Sequence, residues 1–303
     1  MKAAHMNLSQ LESFIALADT SSFTEAAYTV NLSQSAVSHA LAALENELGV
    51  TLIDRNRKGV VALTNVGQKI IPHVRALLAQ AETITQEAKA AQGLAMGKLR
   101  LGTIVSIINP ALLASLLTAF QTQYPDIEVV LFEGTMPEVG EWIQNNVVDA
   151  AFALLPACLT STFITTDELC VILPPTHRLH NHTAITPAEL AEEGFIMANN
   201  ACTSQLLKLA GLTVTKGNPT IRYKATDSST ILAMVREGLG ITLLPRTTLP
   251  KKLDGIIALP LDPPQQLQIG LVMKEQDTIS PAATLFAQTA LAWTQTQLPA
   301  AAP

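Results

Sequence analysis

Between positions 33 and 39 the chain carries a run of short polar side chains, which can donate or accept hydrogen bonds. They are Ser33, Gln34, Ser35, Ser38 and His39. Three cations follow further along the chain, at Arg55, Arg57 and Lys58. Hydroxyl, amide and imidazole groups suit base edges, while cations neutralise phosphate oxygens. The two groups together predict a surface that binds nucleic acid.

The polar run lies at the start of a predicted helix, which is the second of a pair. We expect Ser22 to cap the first helix in a capping box with Glu25, and Ser33 to cap the second. The second helix has apolar residues at helical spacing that should face the core, namely Ala36, Val37, Ala40, Leu41, Leu44 and Leu48. Its opposite face carries the polar run and Glu45. Such a pair places the N-terminal end of its second helix in the major groove of DNA.

The three cations lie in a predicted wing, which is a pair of short strands joined by a basic tip. Residues 52–54 and 60–63 are the two candidate strands on either side of this tip. From the tip, the cations are expected to hold the phosphate backbone or the adjacent minor groove. An amphipathic helix over residues 8–18 should support the helix pair from upstream.

Residues 8–67 resemble the winged helix-turn-helix of the LysR-type transcriptional regulators. The shared pattern includes Ser22-Phe23, Ala26-Ala27, residues 32–38, Leu44-Glu45, Leu48-Gly49-Val50, Asp54-Arg55 and Leu63-Thr64. The resemblance implies a regulator of transcription rather than an enzyme, with promoter DNA as its partner. Many members of the family have Arg or Gln at the position of His39, so this residue leaves the base preference open.

The charge balance limits how tightly a single copy can bind DNA. The chain has a net charge of −6, and its first sixty residues hold four basic groups against six acidic ones. Neutralisation of phosphates by basic groups supplies much of the affinity for DNA. We therefore expect two or more copies to bind together.

A long predicted helix over residues 64–94 offers a way to pair two copies. Its apolar residues recur at intervals of 4, 3, 4, 3 and 4, which is a heptad seam: Ile70, Val74, Leu77, Ala81, Ile84 and Ala88. The alternative is a helix that packs on its own domain. In the resembled family this is the linker helix that pairs DNA-binding domains into a homodimer, and the full assembly is usually a homotetramer. Pro72 should bend or weaken the turn that contains it.

From Lys98 onwards, strands and helices alternate, which predicts βαβ units and parallel sheets. This layout resembles the LysR-family effector domain, which is akin to periplasmic solute-binding proteins. The resemblance implies a small-molecule effector bound between two lobes. We thus expect a mixed multidomain α/β protein. Its expected parts are a winged helix-turn-helix domain at 1–66, a linker helix at 67–96 and an effector-binding domain at 97–303, with lobes at 97–164 plus 267–303 and at 165–266.

Candidate effector-binding residues follow from the position of strand ends and helix starts, where ligands of open α/β sheets bind. They are Thr103, Ser106, Thr135, Cys202, Thr203 and Ser228. Each hydroxyl can instead cap a helix or a turn without touching a ligand. Hydroxyls and helix amides without a converging arginine suit a small polar molecule or a modest anion, whose identity the sequence leaves open.

Cys202 suggests an alternative function, a thiol-based redox-sensing regulator. It lies close to where the family's peroxide sensors carry their reactive cysteine, and a helix N-terminus would lower its pKa. No resolving cysteine follows nearby, because Gly211 stands roughly where one is needed. Cys158 and Cys170 fall in or near apolar strands, which is typical of core residues. A further alternative, a solute-binding module, explains the lobes but not residues 1–94.

Other classes of protein lack their motifs in this chain. The sequence contains no G-x-S-x-G, no G-x-G-x-x-G, no Walker loop and no H-E-x-x-H. His177, His180 and His182 fit no standard zinc spacing, so we expect neither a metal nor another cofactor. Three cysteines, no membrane-length apolar run and no secretory leader favour a cytoplasmic protein.

Overall fold

The structure, a computed structural model, divides into two compact units. One comprises residues 1–92 with 145–147, and the other comprises 93–144 and 148–303. The residues that the structure describes are 6–54, 61–104, 108–156, 160–198, 202–212, 219–225, 227–274 and 279–297. Within these ranges, the search for a helix of the length and hydropathy of a membrane span finds none.

The first unit is helical with one small two-stranded sheet. Its elements are α1 (Leu8–Thr20), α2 (Phe23–Thr29), α3 (Gln34–Leu48), β1 (Ile53–Asp54), β2 (Ala62–Leu63) and α4 (Asn65–Ala90). Ser22 and Ser33 both cap their helices, because Ser22 accepts a hydrogen bond from the Glu25 amide and Ser33 from the Ala36 amide. The reciprocal half of the predicted capping box is not formed, since the Ser22 amide donates to the Thr20 hydroxyl rather than to Glu25. Asn31, at a φ of 53°, ends the first helix of the pair in the left-handed region.

One hydrophobic core holds the helices of this unit together. The α3 side chains Val37, Leu41 and Leu44 are fully buried in it, as the helical spacing predicts. Strands β1 and β2 pair antiparallel, with Ile53 opposite Leu63. Both strands of the predicted wing are present but shorter than expected, at 53–54 within 52–54 and at 62–63 within 60–63, while the tip lies outside the described residues.

Helix α4 is continuous through Pro72 and changes character along its length. In its first part, Ile71 and Val74 are buried in the core of the same unit. Further along, Leu77 is 44% exposed and Ile84 is 69% exposed. The first turns of α4 therefore pack on their own domain, as the alternative describes. Beyond these turns, the large apolar side chains of Leu77 and Ile84 remain exposed.

The second unit alternates strands and helices, as the sequence predicts. Its elements are β3 (Gly97–Ile104), α5 (Pro110–Gln123), β4 (Ile127–Gly134), α6 (Met136–Gln144), β5 (Ala150–Leu154), β6 (Thr160–Leu173), α7 (Pro187–Ala191), β7 (Gly194–Ala198), α8 (Cys202–Leu209), β8 (Thr220–Ala225), α9 (Ser228–Arg236), β9 (Thr242–Pro245), β10 (Ile257–Pro260), β11 (Gln266–Met273) and α10 (Pro281–Gln297). The predicted α/β fold class is confirmed.

The first lobe of this unit is built on parallel strands and completed by the chain's tail. Strand β3 pairs in parallel with β4 on one side and β5 on the other. Strand β11 returns antiparallel to β5, and Phe286 of α10 packs edge-on against Phe120 of α5, with ring centroids 5.2 Å apart. Residues far apart in sequence therefore share one core.

Strand β6 is common to both lobes. Its first part pairs with β11, up to Glu168 opposite Gln266, and its second part pairs with β9 and β10, from Leu169 opposite Pro245. In the second lobe β7 and β8 pair in parallel. The strand predicted from the sequence covers 170–173 alone, and the structure extends it back to Thr160.

Candidate functional site

The exposed face of α3 carries the polar residues predicted to contact DNA. Gln34, Ser35 and His39 are exposed and Ser38 is half-buried, while the buried leucines occupy the opposite face. The hydroxyl of Ser33 accepts from the Ala36 amide and lies 2.9 Å from the Ser35 hydroxyl oxygen. Ser33 is thus engaged as a helix cap, and the side chains best placed to meet a groove are those after it.

The predicted cations of the wing, Arg55, Arg57 and Lys58, lie outside the described residues. The structure instead describes the strands from which this tip departs, β1 and β2. Both strands are only two residues long, so their position depends on what holds them from either side.

Glu45 makes a contact that the sequence pattern does not indicate. The pattern predicts only that it lies on the face of α3 opposite the apolar residues. In the structure its Oε1 accepts hydrogen bonds from the amides of Leu52, at 2.7 Å, and Ile53, at 3.2 Å. The carboxylate therefore faces the base of the wing, a contact between a helix and a strand that helical periodicity cannot reveal.

A second acidic group of this unit is also paired within it. Asp19 of α1 forms an ion pair with Arg75 of α4. Both side chains are partly exposed, so the pair contributes little stability of its own. It does show that the negative charge counted in the sequence is partly neutralised locally.

Two of the effector-site candidates, Thr103 and Thr135, lie at one edge of the first lobe. Because β3 and β4 are parallel, their carboxyl ends meet there, with Thr103 opposite Glu133. Thr103 is 3% exposed. Ser106, the next candidate along the chain, lies outside the described residues.

Thr135 follows β4 and caps α6. Its amide donates to Glu138 Oε2 at 2.7 Å, and its hydroxyl accepts from the Glu138 amide at 3.4 Å. The bond that the Thr135 amide donates to the carboxylate is the main cause of a lowered pKa of Glu138, and a bond between the carboxylate and the Thr135 hydroxyl lowers it further. The hydroxyl of Thr135 is thus used in the structure as the capping alternative describes.

The remaining candidates lie at the corresponding edge of the second lobe. Strands β7 and β8 end at the same level, with Ala198 opposite Ala225, and α8 and α9 begin shortly after them. Thr203 donates its hydroxyl to the Ala198 carbonyl at 2.6 Å, while Ser228 follows the N-cap Asp227. The side chain of Cys202 lies outside what the structure describes. The fold therefore brings the candidates that the structure describes to two strand-end edges, one in each lobe.

Sequence patterns missed a polar cluster on β6, close to where this strand passes from one lobe to the other. Asp167 is buried and accepts from the amide of Thr247 at 3.2 Å, as well as from its hydroxyl. Its neighbour Glu168 forms an ion pair with Arg246 at 2.6 Å. These partners are separated by almost eighty residues in sequence, so no local motif could have signalled them.

The histidines of the 177–182 segment pair with carboxylates near α7. His177 Nε2 lies 3.1 Å from Glu193 Oε2, and His182 Nδ1 lies 3.1 Å from Glu189 Oε1. Across the described part of the chain, no group of three or more potential ligands is arranged to hold a metal ion. The pairs are consistent with anchoring this segment to the second lobe.

The comparisons with known proteins agree with this architecture. Residues 8–68 match the family described as bacterial regulatory helix-turn-helix protein, lysR family, and residues 92–295 match the LysR substrate binding domain. The uncharacterized HTH-type transcriptional regulator YvbU of Bacillus subtilis is 33% identical over 294 residues, which is 94% of this chain and 98% of that protein.

Solved structures share the fold over nearly the whole chain. A full-length OxyR variant from Pseudomonas aeruginosa has a TM-score of 0.71 at 24% identity, covering 94% of this chain and 95% of that one. CbnR complexed with its target DNA has a TM-score of 0.63 at 21% identity, covering 95% and 99%. At these identities the likeness concerns the fold.

A winged helix-turn-helix followed by a two-lobed α/β domain defines a transcriptional regulator that binds DNA and responds to a small molecule. The chain belongs to the LysR family of such regulators. That family consists of regulators of transcription rather than enzymes. The match over residues 8–68 also accounts for the part of the chain that a solute-binding module leaves unexplained.

The buried thiol of Cys170, on β6, allows the packing of this strand to be tested by chemical modification. Its burial raises the pKa of its thiol to about 12, and the nearby Arg246 only partly offsets this. At pH 8 the thiolate fraction should then be about one in ten thousand. We expect iodoacetamide to leave Cys170 unmodified in the folded protein and to alkylate it in urea, as read by peptide mass spectrometry. Comparable alkylation rates with and without urea would contradict the buried position.

Proposed function

We propose that α3 reads base edges in the major groove through Gln34, Ser35, Ser38 and His39. The observation that carries this proposal is the division of α3 into an apolar face, on which Val37, Leu41 and Leu44 are buried, and a polar face toward its N-terminal end. Recognition helices present that end to the bases and nearby phosphates. Ser33 serves the same surface indirectly, because its cap fixes where the helix begins. Arg55, Arg57 and Lys58 are proposed to hold the DNA backbone beside it.

Replacing Gln34 with Ala should weaken binding to the preferred site while leaving binding to scrambled DNA nearly unchanged. The physical reason is that an amide bonded to a base edge contributes about 1–3 kcal/mol of discrimination, whereas phosphate contacts ignore sequence. A preferred site is first selected from a random duplex library, and affinities are then measured by fluorescence anisotropy. Gln80→Ala on α4 is the matched control. Equal losses on specific and scrambled DNA would refute base reading by Gln34.

The second half of α4 is proposed to pair two copies of the chain as a homodimer. Leu77 and Ile84 lie one heptad apart and are both largely exposed, although the residues before them are buried in the core of their own domain. A seam of this spacing buries such side chains against a partner helix. Pairing also compensates for the weak DNA affinity expected of one domain with few basic groups, because two linked domains bind with greater avidity. A tetramer of two dimers is the assembly we propose by analogy with the family.

The double variant Leu77→Lys with Ile84→Lys should be monomeric and should lose most of its specific DNA binding. Two cations facing their counterparts in a former apolar seam would repel and remain unburied. The control is Ala76→Lys with Thr83→Lys, which adds the same charge one heptad apart on the side of α4 away from the seam, at positions that are not buried. Light scattering gives the mass and anisotropy the affinity. A stable dimer of the seam variant would exclude this interface.

The effector is proposed to bind at the two strand-end edges, where Thr103, Ser106, Thr135, Cys202, Thr203 and Ser228 lie or are expected. The starts of α6, α8 and α9 follow these edges, and free amides at helix starts attract polar or anionic groups. The Thr135 hydroxyl already accepts from the Glu138 amide and the Thr203 hydroxyl donates to the Ala198 carbonyl, so both residues are proposed to shape the site. We propose this function over redox sensing because no second cysteine is placed near Cys202 in the sequence. The site of action is proposed to be the cytoplasm, where promoter DNA is found.

A thermal-shift screen of small carboxylates and polar metabolites on the full chain should find compounds that raise its melting temperature. A ligand that binds only the folded state stabilises it by RT ln(1 + [L]/Kd). Thr103→Val, which removes a buried hydroxyl at nearly constant shape, should reduce the shift of a genuine effector. Thr118→Val, on the surface of α5, is the control and should leave the shift intact. Equal shifts in both variants would remove Thr103 from the effector site.

A further inference from the structure

The base of the wing is held from one side by Glu45 of the recognition helix α3. A single carboxylate oxygen accepts from two consecutive backbone amides, those of Leu52 at 2.7 Å and Ile53 at 3.2 Å. The bonds reach the wing immediately before and at the first residue of β1. Hydrogen bonds to a charged acceptor are about twice as strong as neutral ones. Glu45 therefore fixes where the wing starts relative to α3.

The same stretch is held from the other side by the start of α4. The hydroxyl of Thr64 donates to the Thr51 carbonyl at 2.7 Å, and the Thr64 amide donates to the Leu52 carbonyl at 3.0 Å. The Thr64 hydroxyl also accepts from the Gly67 amide at 3.0 Å, which caps α4. A Cβ on Gly67 would lie 2.3 Å from the Leu52 carbonyl oxygen, so the approach of α4 requires glycine there.

We propose that Glu45 and Thr64 are positioning residues for DNA binding. Together with Gly67 and the backbone of residues 51–53 they form a wing clamp, which sets the two short strands at a defined place between α3 and α4. The inference rests on the proposed DNA contacts of the wing and the recognition helix. Strands of two residues have too few ladder bonds to define their own position, so the clamp supplies what the sheet cannot.

The wing clamp predicts the opposite change in DNA affinity, on removal of Glu45, from the change that charge alone predicts. Glu45 is an acidic residue on the helix that enters the groove, so its removal should tighten DNA binding if it acts as a charge alone. If it acts through the wing, its removal should instead release the basic tip and weaken binding. Loss of phosphate contacts also makes the affinity less dependent on salt, by about 0.9 in the logarithmic slope for each contact.

The test compares Glu45→Ala, Glu45→Gln and the matched control Glu25→Ala on the full chain. Glu25 is an exposed carboxylate on α2, the other helix of the pair. We expect Glu45→Ala to bind the selected duplex roughly tenfold more weakly, with a salt slope about two to five units shallower for a dimer. Glu45→Gln keeps an acceptor oxygen and should restore most of the slope, while Glu25→Ala should bind as tightly as wild type or more so.

The Thr64 side of the clamp gives an independent comparison that does not alter charge. Thr64→Val removes the hydroxyl and should make the salt slope shallower, while Thr64→Ser keeps the hydroxyl and should behave as wild type. Thermal unfolding of each variant shows that folded proteins are compared. The double variant Arg55→Ala with Arg57→Ala gives the slope of a chain without two wing cations.

Tighter binding or an unchanged slope in a folded Glu45→Ala chain would overturn the clamp. So would a Glu45→Gln chain as impaired as Glu45→Ala, because acceptance of the amide bonds would then not be the decisive property. If Glu45→Ala does not fold, the valine and serine variants of Thr64 decide the matter in the same way. Failure of the wild-type chain to bind any selected duplex would contradict the proposed DNA contacts, and the clamp with them.

Discussion

The structure depends on one electrostatic constraint, which is that a chain of net charge −6 must bind a polyanion. Each DNA-binding domain has few cations, so its grip depends on where they are held rather than on their number. Two acidic groups of the DNA-binding domain are paired within it. Asp19 is bound to Arg75, and Glu45 is bound to the amides at the base of the wing. Acidic groups that would repel DNA are thereby given structural partners.

Helix α4 has one role within the DNA-binding domain and a second, proposed role in pairing two copies. Its first turns belong to the DNA-binding core and, through Thr64 and Gly67, hold the wing. Its later turns carry exposed apolar side chains suited to a partner helix. Because α4 is one continuous helix, the proposed pairing of two copies and the placement of each wing are mechanically connected. A regulator with weak individual domains gains from such a connection, since avidity requires that both domains be held in register.

In the effector domain, strand β6 connects the two lobes. A strand shared by two lobes lets each have its own core while the backbone runs unbroken from one to the other. The bonds of Asp167 with Thr247 and of Glu168 with Arg246 lie beside this crossing. A buried carboxylate needs such partners, because an unsatisfied one would be costly. The partners therefore define how the segment after β9 packs on the crossing strand.

Much of this architecture follows from the sequence alone. Capping residues and apolar spacing determined the helix pair, because helix starts and buried faces are local properties; alternation of strands and helices determined the α/β class for the same reason. The tertiary structure decided the rest. It brought the Glu45 carboxylate to the amides at the base of the wing, used the Thr135 hydroxyl as a cap, and extended β6 back to Thr160. Each of these depends on groups brought together by folding, and a side chain's role is set by the partner it meets as much as by its own chemistry.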